Sequence, residues 1–226
     1  MKRWLAVLGL TMAIVAVQAQ EDPEYRMEVG AGGALVCYEG DFNGSILGTM
    51  CPMGTLLAKY RMNPRMAWAL NLSYGQLKGS SDNVETVYPL EESVDFTTKL
   101  VDACLRYEYN FWPYGTGHDY RGARRITPFI FLGLGATYAD TAEGSKFTGN
   151  FPIGAGVKFK IATRLNLGVE WAMHFTWSDE LDGVADPYGI KSSGLFKNTD
   201  GYSALQVSLT YSFLPKCKTC NKDRDD

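Results

Sequence analysis

The segment 153–175 constrains the fold most, because apolar and polar residues alternate through two arms that are separated by a short turn. The apolar side chains of each arm share one face: Ile153, Ala155, Val157 and Phe159, then Leu165, Leu167, Val169, Trp171, Met173 and Phe175. A period of two indicates β-strands, since a helix would distribute these residues around its axis. The opposite face carries glycine and charge, such as Gly154, Lys158 and Glu170. Large apolar residues opposite small or ionised ones are typical of a membrane β-barrel hairpin.

The N-terminus predicts export. Lys2 and Arg3 precede an apolar run that ends in Val17-Gln18-Ala19, which is typical of a signal peptide and its cleavage site. No cysteine follows at that junction, so we expect no lipid anchor there. The predicted organisation is a signal peptide over residues 1–19, an outer-membrane β-barrel over 20–213 and a periplasmic tail over 214–226. We expect the protein in the bacterial outer membrane, in contact with its lipids, after cleavage of the Sec signal peptide.

The same alternation recurs along the chain and predicts eight strands. They are expected at 25–37, 54–61, 66–75, a stretch ending at 111, 126–138, 153–160, 165–175 and 202–213. Short turns follow strands two and six, and long polar segments follow strands one, three, five and seven, as short periplasmic turns and long external loops would produce. The sequence therefore predicts an all-β fold, an eight-stranded antiparallel up-and-down transmembrane β-barrel with a side-chain-filled lumen. The connection Trp112–Arg125 is the exception, because it is long where a tight turn is expected.

Charged residues of both signs fall on the inward face of these strands. They are Arg26, Glu28, Lys59, Arg61, Asp102, Arg106, Glu108, Lys158, Lys160 and Glu170. An unpaired ionised group in a narrow lumen would cost several kcal/mol, so these side chains are expected to pair. The pattern predicts a plug of salt bridges and no conduction path.

The sequence gives little support for catalysis or for a bound ligand. His174 and Thr176 share a face and could form part of a nucleophile–base pair in a lipid-modifying enzyme, but a hydrogen-bonding role for His174 in the lumen explains it more simply. The glycine pairs lie inside strands with no following helix and are not phosphate loops. We expect no enzyme activity, no cofactor, no metal and no small-molecule substrate. The net charge of −3 is too small to indicate nucleic acid.

Five cysteines allow several arrangements. Cys217 and Cys220 in the tail can be a redox pair, half a zinc site or a disulfide. A structural or intermolecular disulfide suits an oxidising compartment best. Cys37 and Cys51 flank the first external loop and can close it, although the alternation places Cys37 outward. Cys104 faces the lumen and is the simplest candidate for a buried free thiol.

Several segments together resemble one family, the PorG-like outer-membrane barrels of Bacteroidetes. They are 105–111, 127–131, 156–160, 164–171 and 179–184. The likeness covers nearly the whole mature chain. It implies a non-enzymatic component of the type IX protein secretion system, which holds the periplasmic ring of the lipoprotein PorK and its partner PorN against the outer membrane.

The two over-long periplasmic elements are the expected contacts with that ring. The residues are Tyr114, His118, Tyr120, Arg121, Arg124, Lys216, Cys217, Lys218 and Cys220. Tyrosine and arginine are frequent interface anchors. Alternatively, the 112–125 connection only packs under the barrel mouth. A free-standing adhesin or surface receptor that acts through segment 178–200 is the second hypothesis for function, and a lipid-modifying enzyme is the third.

Overall fold

The computed structural model describes residues 24–39, 50–80, 95–117, 122–141, 144–177 and 201–215. The strands in these ranges are β1 Tyr25–Glu39, β2 Cys51–Arg61, β3 Met66–Ser80, β4 Asp95–Asn110, β5 Ile126–Thr141, β6 Gly144–Lys160, β7 Leu165–Thr176 and β8 Gly201–Pro215. Each strand pairs antiparallel with the next, and β8 returns to β1, so the sheet closes. This confirms the predicted eight-stranded barrel.

Closure depends on glycines at the seam between β1 and β8. Gly30 lies opposite Thr210, and a Cβ atom at Gly30 would collide with the carbonyl oxygen of Leu209. The missing side chain lets the two backbones approach, and the ladder then leaves no unpaired edge. Lipid cannot hydrogen-bond an open edge, so closure is a requirement for a spanning sheet.

The two ends of the barrel differ in their connections. The end that carries Tyr25 and Pro215 also carries the connections 62–65, 111–125 and 161–164, and we call it the turn end. The opposite end carries 40–50, 81–94, 142–143 and 177–200, and we call it the loop end. The turns after β2 and β6 are four residues long, as predicted. In the first of them Asn63 Oδ1 accepts the backbone N–H groups of Arg65 and Met66 at 2.8 Å each, as in an Asx turn.

The outer face of the barrel is apolar. Its exposed large side chains include Val29, Leu56, Leu70, Leu72, Val101, Leu105, Ile130, Leu132, Leu134, Val157, Val169, Leu205, Val207 and Leu209. A continuous apolar belt of this extent is unfavourable in water and favourable against lipid chains. The described residues contain no helix that is long and apolar enough to cross a membrane.

The lumen changes character along its axis. Polar and charged side chains fill the turn half, while the loop end is closed by an apolar cluster that includes Val36, Tyr38, Leu77, Leu100 and Tyr202. All five side chains are fully buried. Tyr38 and Leu77 lie in strand extensions beyond the predicted strands, whereas Val36 and Tyr202 occupy inward positions of strands that were predicted.

The prediction of a long loop after the fifth strand is wrong. Strands β5 and β6 continue as a hairpin, with Asp140 opposite Ser145 and Thr141 opposite Gly144, and only residues 142 and 143 lie between them. Gly144 has a φ of +136°, a conformation that other residues rarely adopt, and so it suits the tight turn. The segment is polar on both faces, so it lacks the alternation that identifies a half-buried strand.

Candidate functional site

The centre of the lumen is organised around the carboxylate of Glu108, which is fully buried. Lys59 Nζ approaches one of its oxygens at 2.9 Å and Lys158 Nζ approaches the other at 2.5 Å. Arg106 Nη2 lies 3.7 Å away. Three cations from β2, β4 and β6 therefore converge on a single anion, which joins strands on opposite sides of the barrel.

Arg106 extends this network to the far wall. Its Nη1 atom donates to Glu170 Oε1 on β7 at 2.6 Å, and its guanidinium group lies 4.4 Å from the ring centroid of Phe131. Lys158 Nζ similarly lies 4.3 Å from the ring centroid of Phe129. The aromatic faces add a cation–π attraction to the ion pairs, so that positive charge is stabilised on more than one side.

These two phenylalanines are inward residues that the sequence interpretation missed. Phe129 lies opposite Gly156 and Phe131 lies opposite Gly154, so each ring rests on a glycine of β6. The signal was available, because the alternation that places Ile130 outward necessarily places its neighbours inward. What the pattern alone did not indicate is that the glycines make room for the rings.

A second ion pair lies nearer the turn end. Arg61 is paired with Glu28, and the other carboxylate oxygen of Glu28 accepts from Thr210 Oγ1 at 3.1 Å. The Arg61 guanidinium also lies 4.8 Å from the ring centroid of Tyr114. This ring belongs to the β4–β5 connection, so the charged lumen is covered by a residue that lies outside the strands.

The β4–β5 connection folds back into the barrel mouth. Tyr114 N donates to Pro64 O at 3.0 Å, and the Tyr114 hydroxyl donates to Asn166 Oδ1 at 3.1 Å. Burial of the phenol raises the pKa of Tyr114 to about 12, which keeps the hydroxyl proton available for donation. Tyr114 is only 1% exposed. The expected partner contact at Tyr114 is therefore corrected: the side chain closes the lumen and is not on the surface.

Lys160 contacts an amide group and two aromatic rings at this end. Its Nζ atom donates to Asn166 Oδ1 at 3.3 Å and lies 5.4 Å from the Tyr25 ring centroid and 5.6 Å from that of Tyr114. Salt bridges pair seven of the ten inward charges, as predicted: Glu28, Lys59, Arg61, Arg106, Glu108, Lys158 and Glu170. Asp102 and Lys160 are buried, but they take part in no salt bridge among the described residues. Arg26 is exposed, because β1 begins at Tyr25 and the residue lies at the rim.

Neutral groups surround Asp102 nearer the loop end. Its Oδ1 atom accepts from Thr137 Oγ1 at 3.0 Å and from the Asn150 side-chain amide. His174 stacks on the Tyr202 ring with a centroid separation of 4.3 Å. His174 is buried in the lumen, so its imidazole does not face the lipid.

The sequence matches the family described as Domain of unknown function (DUF6089) over residues 2–222. The chain belongs to the DUF6089 family. No curated protein matches it.

Solved structures similar to this DUF6089 barrel are small barrels as well. Neisserial surface protein A (NspA) is 13% identical with a TM-score of 0.52, and the match covers 83% of this chain and 97% of that one. The outer membrane protein OprG of Pseudomonas aeruginosa is 11% identical, with a TM-score of 0.48 and coverages of 86% and 98%. Ail, the attachment invasion locus protein of Yersinia pestis, is 16% identical, with a TM-score of 0.46 and coverages of 84% and 99%. At these identities the likeness concerns the fold alone.

The cysteines of this DUF6089 member follow the predictions in part. Cys104 is a buried free thiol, as predicted. Cys37 and Cys51 are buried and are not joined to each other, so the disulfide considered for the first loop is not formed in the structure. Cys37 was expected to face outward, but it is only 2% exposed. No cluster of metal-ligating side chains occurs in the described part of the chain.

The remaining predicted contacts divide into two groups. Arg124 is exposed in the β4–β5 connection, and its guanidinium lies 4.7 Å from the Trp112 ring centroid. The others lie outside the described residues: His118, Tyr120, Arg121, Lys216, Cys217, Lys218 and Cys220. The signal peptide predicted over residues 1–19 and nearly all of the tail also lie outside them. Their roles stay predictions.

Proposed function

We propose that this DUF6089 barrel is a non-enzymatic outer-membrane component of the type IX protein secretion system, which anchors a periplasmic ring of PorK and PorN to the membrane. The proposal joins the sequence resemblance to two properties of the fold. One is a lumen that holds the strands together, and the other is a stiffened surface at the turn end. In a barrel of this topology the turn end faces the periplasm.

The first support is the filled lumen. Glu108 joins β2, β4 and β6 through its cations, and Arg106 adds β7 through Glu170. These side chains occupy the space that a solute would need. A barrel with such a centre suits a rigid anchor better than a channel, so its function must lie at the ends.

The observation that carries the proposal is the construction of the β4–β5 connection. Arg124 N donates to Pro113 O at 2.7 Å, and Gly115 N donates to Arg124 O at 3.1 Å, on either side of the buried Tyr114. The connection is thus fixed from inside the barrel while Trp112 and Arg124 remain exposed. A preorganised surface costs less entropy on binding than a mobile loop does.

The same geometry weighs against the enzyme hypothesis. A lipid-modifying enzyme must bring its base to an acyl or sugar group of the membrane, but His174 is buried in the lumen and stacked on Tyr202. Comparing lipid A species between a strain with the native gene and a His174→Ala strain tests the point. A changed lipid A profile would overturn the non-enzymatic assignment.

Site-specific crosslinking tests the anchoring role. A photocrosslinking amino acid at Arg124 of the full-length protein, expressed in cells that contain the secretion system, is expected to capture PorK or PorN. The matched control is the same amino acid at Tyr138, an exposed residue near the loop end of β5. Capture at neither position, with normal secretion in a deletion strain, would refute the proposal.

A surface receptor or adhesin is the second candidate, and the strand lengths favour it. Strands β3 to β6 contain 15 to 17 residues, whereas about ten are enough to cross a bilayer. Phe147 lies in the extension of β6, and Trp177, which follows β7, packs against Gly149 of that extension. These two side chains are 77% and 66% exposed near the loop end. Binding of intact cells to host or matrix proteins, lost on substitution of both aromatics with serine while secretion is unchanged, would favour this candidate.

A further inference from the structure

Arginine residues surround the turn end. They are Arg26 at the start of β1, Arg65 in the β2–β3 turn, Arg124 and Arg125 in the β4–β5 connection, and Arg164 in the β6–β7 turn. Four of them are exposed and Arg65 is half-buried. Because these elements follow one another around the closed sheet, their cations are distributed around the whole rim. We call this set the arginine collar.

Two members of the collar are held by aromatic residues. Arg164 Nη1 donates to the Tyr211 hydroxyl at 3.1 Å, and its guanidinium lies 5.7 Å from the Tyr25 ring centroid. Arg124 lies over the Trp112 ring. Each contact uses one face or one N–H group of the guanidinium and leaves other N–H donors for a ligand.

Two further members are held by backbone carbonyl groups. Arg125 Nε donates to Thr116 O at 2.8 Å, and Arg65 Nη1 donates to Phe111 O at 3.1 Å. Within the described residues the salt bridges lie in the lumen and include none of the collar. Four of the five collar arginines are therefore positioned by neutral groups, and none of the five takes part in a salt bridge within the described part of the protein.

Carboxylates are scarce at this rim. Glu24 lies there, and its Oε2 atom already accepts the Thr116 N–H group at 3.0 Å. Near the loop end, by contrast, the exposed Lys99 lies directly opposite Asp140 in the strand ladder. The described rim at the turn end thus has an excess of positive charge, with guanidinium groups that suit a planar, bidentate anion.

The height of the collar identifies the anion. Tyr211 and Trp112 are exposed on the outer surface, as are Tyr60 and Trp68. Aromatic residues in such a belt mark the level of the lipid headgroups. Arg164 and Arg124 contact Tyr211 and Trp112, so their guanidinium groups lie at the level where phospholipid phosphates are found.

We propose that the arginine collar binds the phosphate groups of anionic glycerophospholipids in the leaflet at the turn end. A position beside the aromatic belt favours a lipid over an acidic protein, which would approach along the barrel axis from below. The inference does not depend on the secretion role, since a barrel with any function at either end would be held at a defined depth by the collar.

The test uses the full mature chain, refolded in detergent, and native mass spectrometry of bound lipid. Phosphatidylglycerol and phosphatidylcholine are the two probes. A basic residue near an anionic surface contributes roughly 1 kcal/mol, so the variant Arg124→Gln/Arg164→Gln is expected to lose affinity for phosphatidylglycerol by about 30-fold. The variant Arg124→Lys/Arg164→Lys keeps the charge but loses the planar set of donors. Its affinity for phosphatidylglycerol is expected to lie between those of the native chain and the double glutamine variant.

The control is Lys99→Gln, which removes an exposed cation near the loop end and is expected to leave lipid binding unchanged. The proposal is overturned if the native barrel retains phosphatidylcholine as well as phosphatidylglycerol, or if the double glutamine variant binds like the native chain. Displacement of the lipid by an equal concentration of inorganic phosphate would assign the collar to free phosphate instead. Loss of crosslinks to PorK or PorN in the double variant, with unchanged lipid binding, would assign it to an acidic protein.

Discussion

The Tyr114 hydroxyl donates a 3.1 Å hydrogen bond to Asn166 Oδ1, and this bond fastens the β4–β5 connection to β7 inside the barrel mouth. The amide group of Asn166 donates in turn to Ser212 Oγ at 2.9 Å and to Thr210 Oγ1 at 3.2 Å on β8. Tyr114 is therefore linked through Asn166 to β8, one of the two strands that close the barrel, although it is remote from β8 in sequence. This relationship explains why a connection that is too long for a tight turn is nevertheless well positioned.

Removal of the Tyr114 hydroxyl is expected to weaken the barrel slightly. Tyr114→Phe keeps the ring beside Arg61 and Lys160 but loses the bond to Asn166, which should lower the free energy of unfolding by about 1 kcal/mol. Tyr114→Ala also removes the ring, and a loss of about 3–5 kcal/mol is expected. Urea unfolding in lipid vesicles, followed by tryptophan fluorescence, measures both changes. The control is Tyr138→Phe, which removes an exposed hydroxyl bonded to Ser145. Equal losses of stability in Tyr114→Ala and in this control would contradict the role of Tyr114 in closing the barrel mouth.

Glu108 is expected to be the most sensitive charged residue of the lumen. Glu108→Gln leaves Lys59 and Lys158 buried beside a neutral group, and breaking a buried pair in this way costs about 3–5 kcal/mol. Restoring neutrality with Lys59→Met and Lys158→Met in the same chain should recover part of the loss, because an apolar replacement of a buried ion pair is often tolerated. Unfolding midpoints of the single and triple variants measure this. A triple variant that is less stable than Glu108→Gln would show that packing, and not charge, determines the effect.

The strand alternation predicted the closed sheet and the lumen charges for a physical reason. An unpaired backbone group in lipid and an isolated charge in a narrow lumen are both energetically costly. The inward orientation of Glu108, Lys158 and Glu170 is therefore strongly constrained. Alternation says nothing about depth along the barrel axis. For this reason Arg26 was assigned to the lumen, although it lies at the rim.

The position of Tyr114 could not be predicted from local pattern. Its burial depends on Pro64, Arg61 and Asn166, which lie in three other elements of the chain. The β5–β6 hairpin was missed for the opposite reason. Its polar residues, such as Thr141 and Ser145, carry no contrast between faces, although the backbone pairing that holds them is the same as in the apolar strands.

Cys104 is expected to be chemically silent in the folded barrel. Its side chain is 1% exposed and lies in the lumen between inward residues of β3 and β5, so a water-soluble maleimide should not reach it. Mass spectrometry after labelling should detect modification of Cys104 only when the protein is unfolded in guanidinium chloride before labelling. Modification at the same rate in both states would contradict a filled lumen. The control is a Lys99→Cys variant, since Lys99 is exposed near the loop end, and its thiol should be modified in both states.

The sharpest test of lumen packing compares an inward glycine, Gly156, with an outward one, Gly33. A Cβ atom at Gly156 would lie 2.5 Å from the carbonyl oxygen of Val169 and 2.8 Å from the Phe129 ring, whereas one at Gly33 would meet nothing within 4 Å. Gly156→Ala should therefore displace the Phe129 ring from its contact with Lys158 and lower the free energy of unfolding by about 1–3 kcal/mol. Gly33→Ala, on the outward face of β1, should leave stability unchanged or raise it slightly, because alanine loses less backbone entropy on folding. If the two variants unfold at the same urea concentration, then the inward glycines are not needed to make room for the aromatic rings. That result would also contradict the proposed cation–π support of the lumen cations.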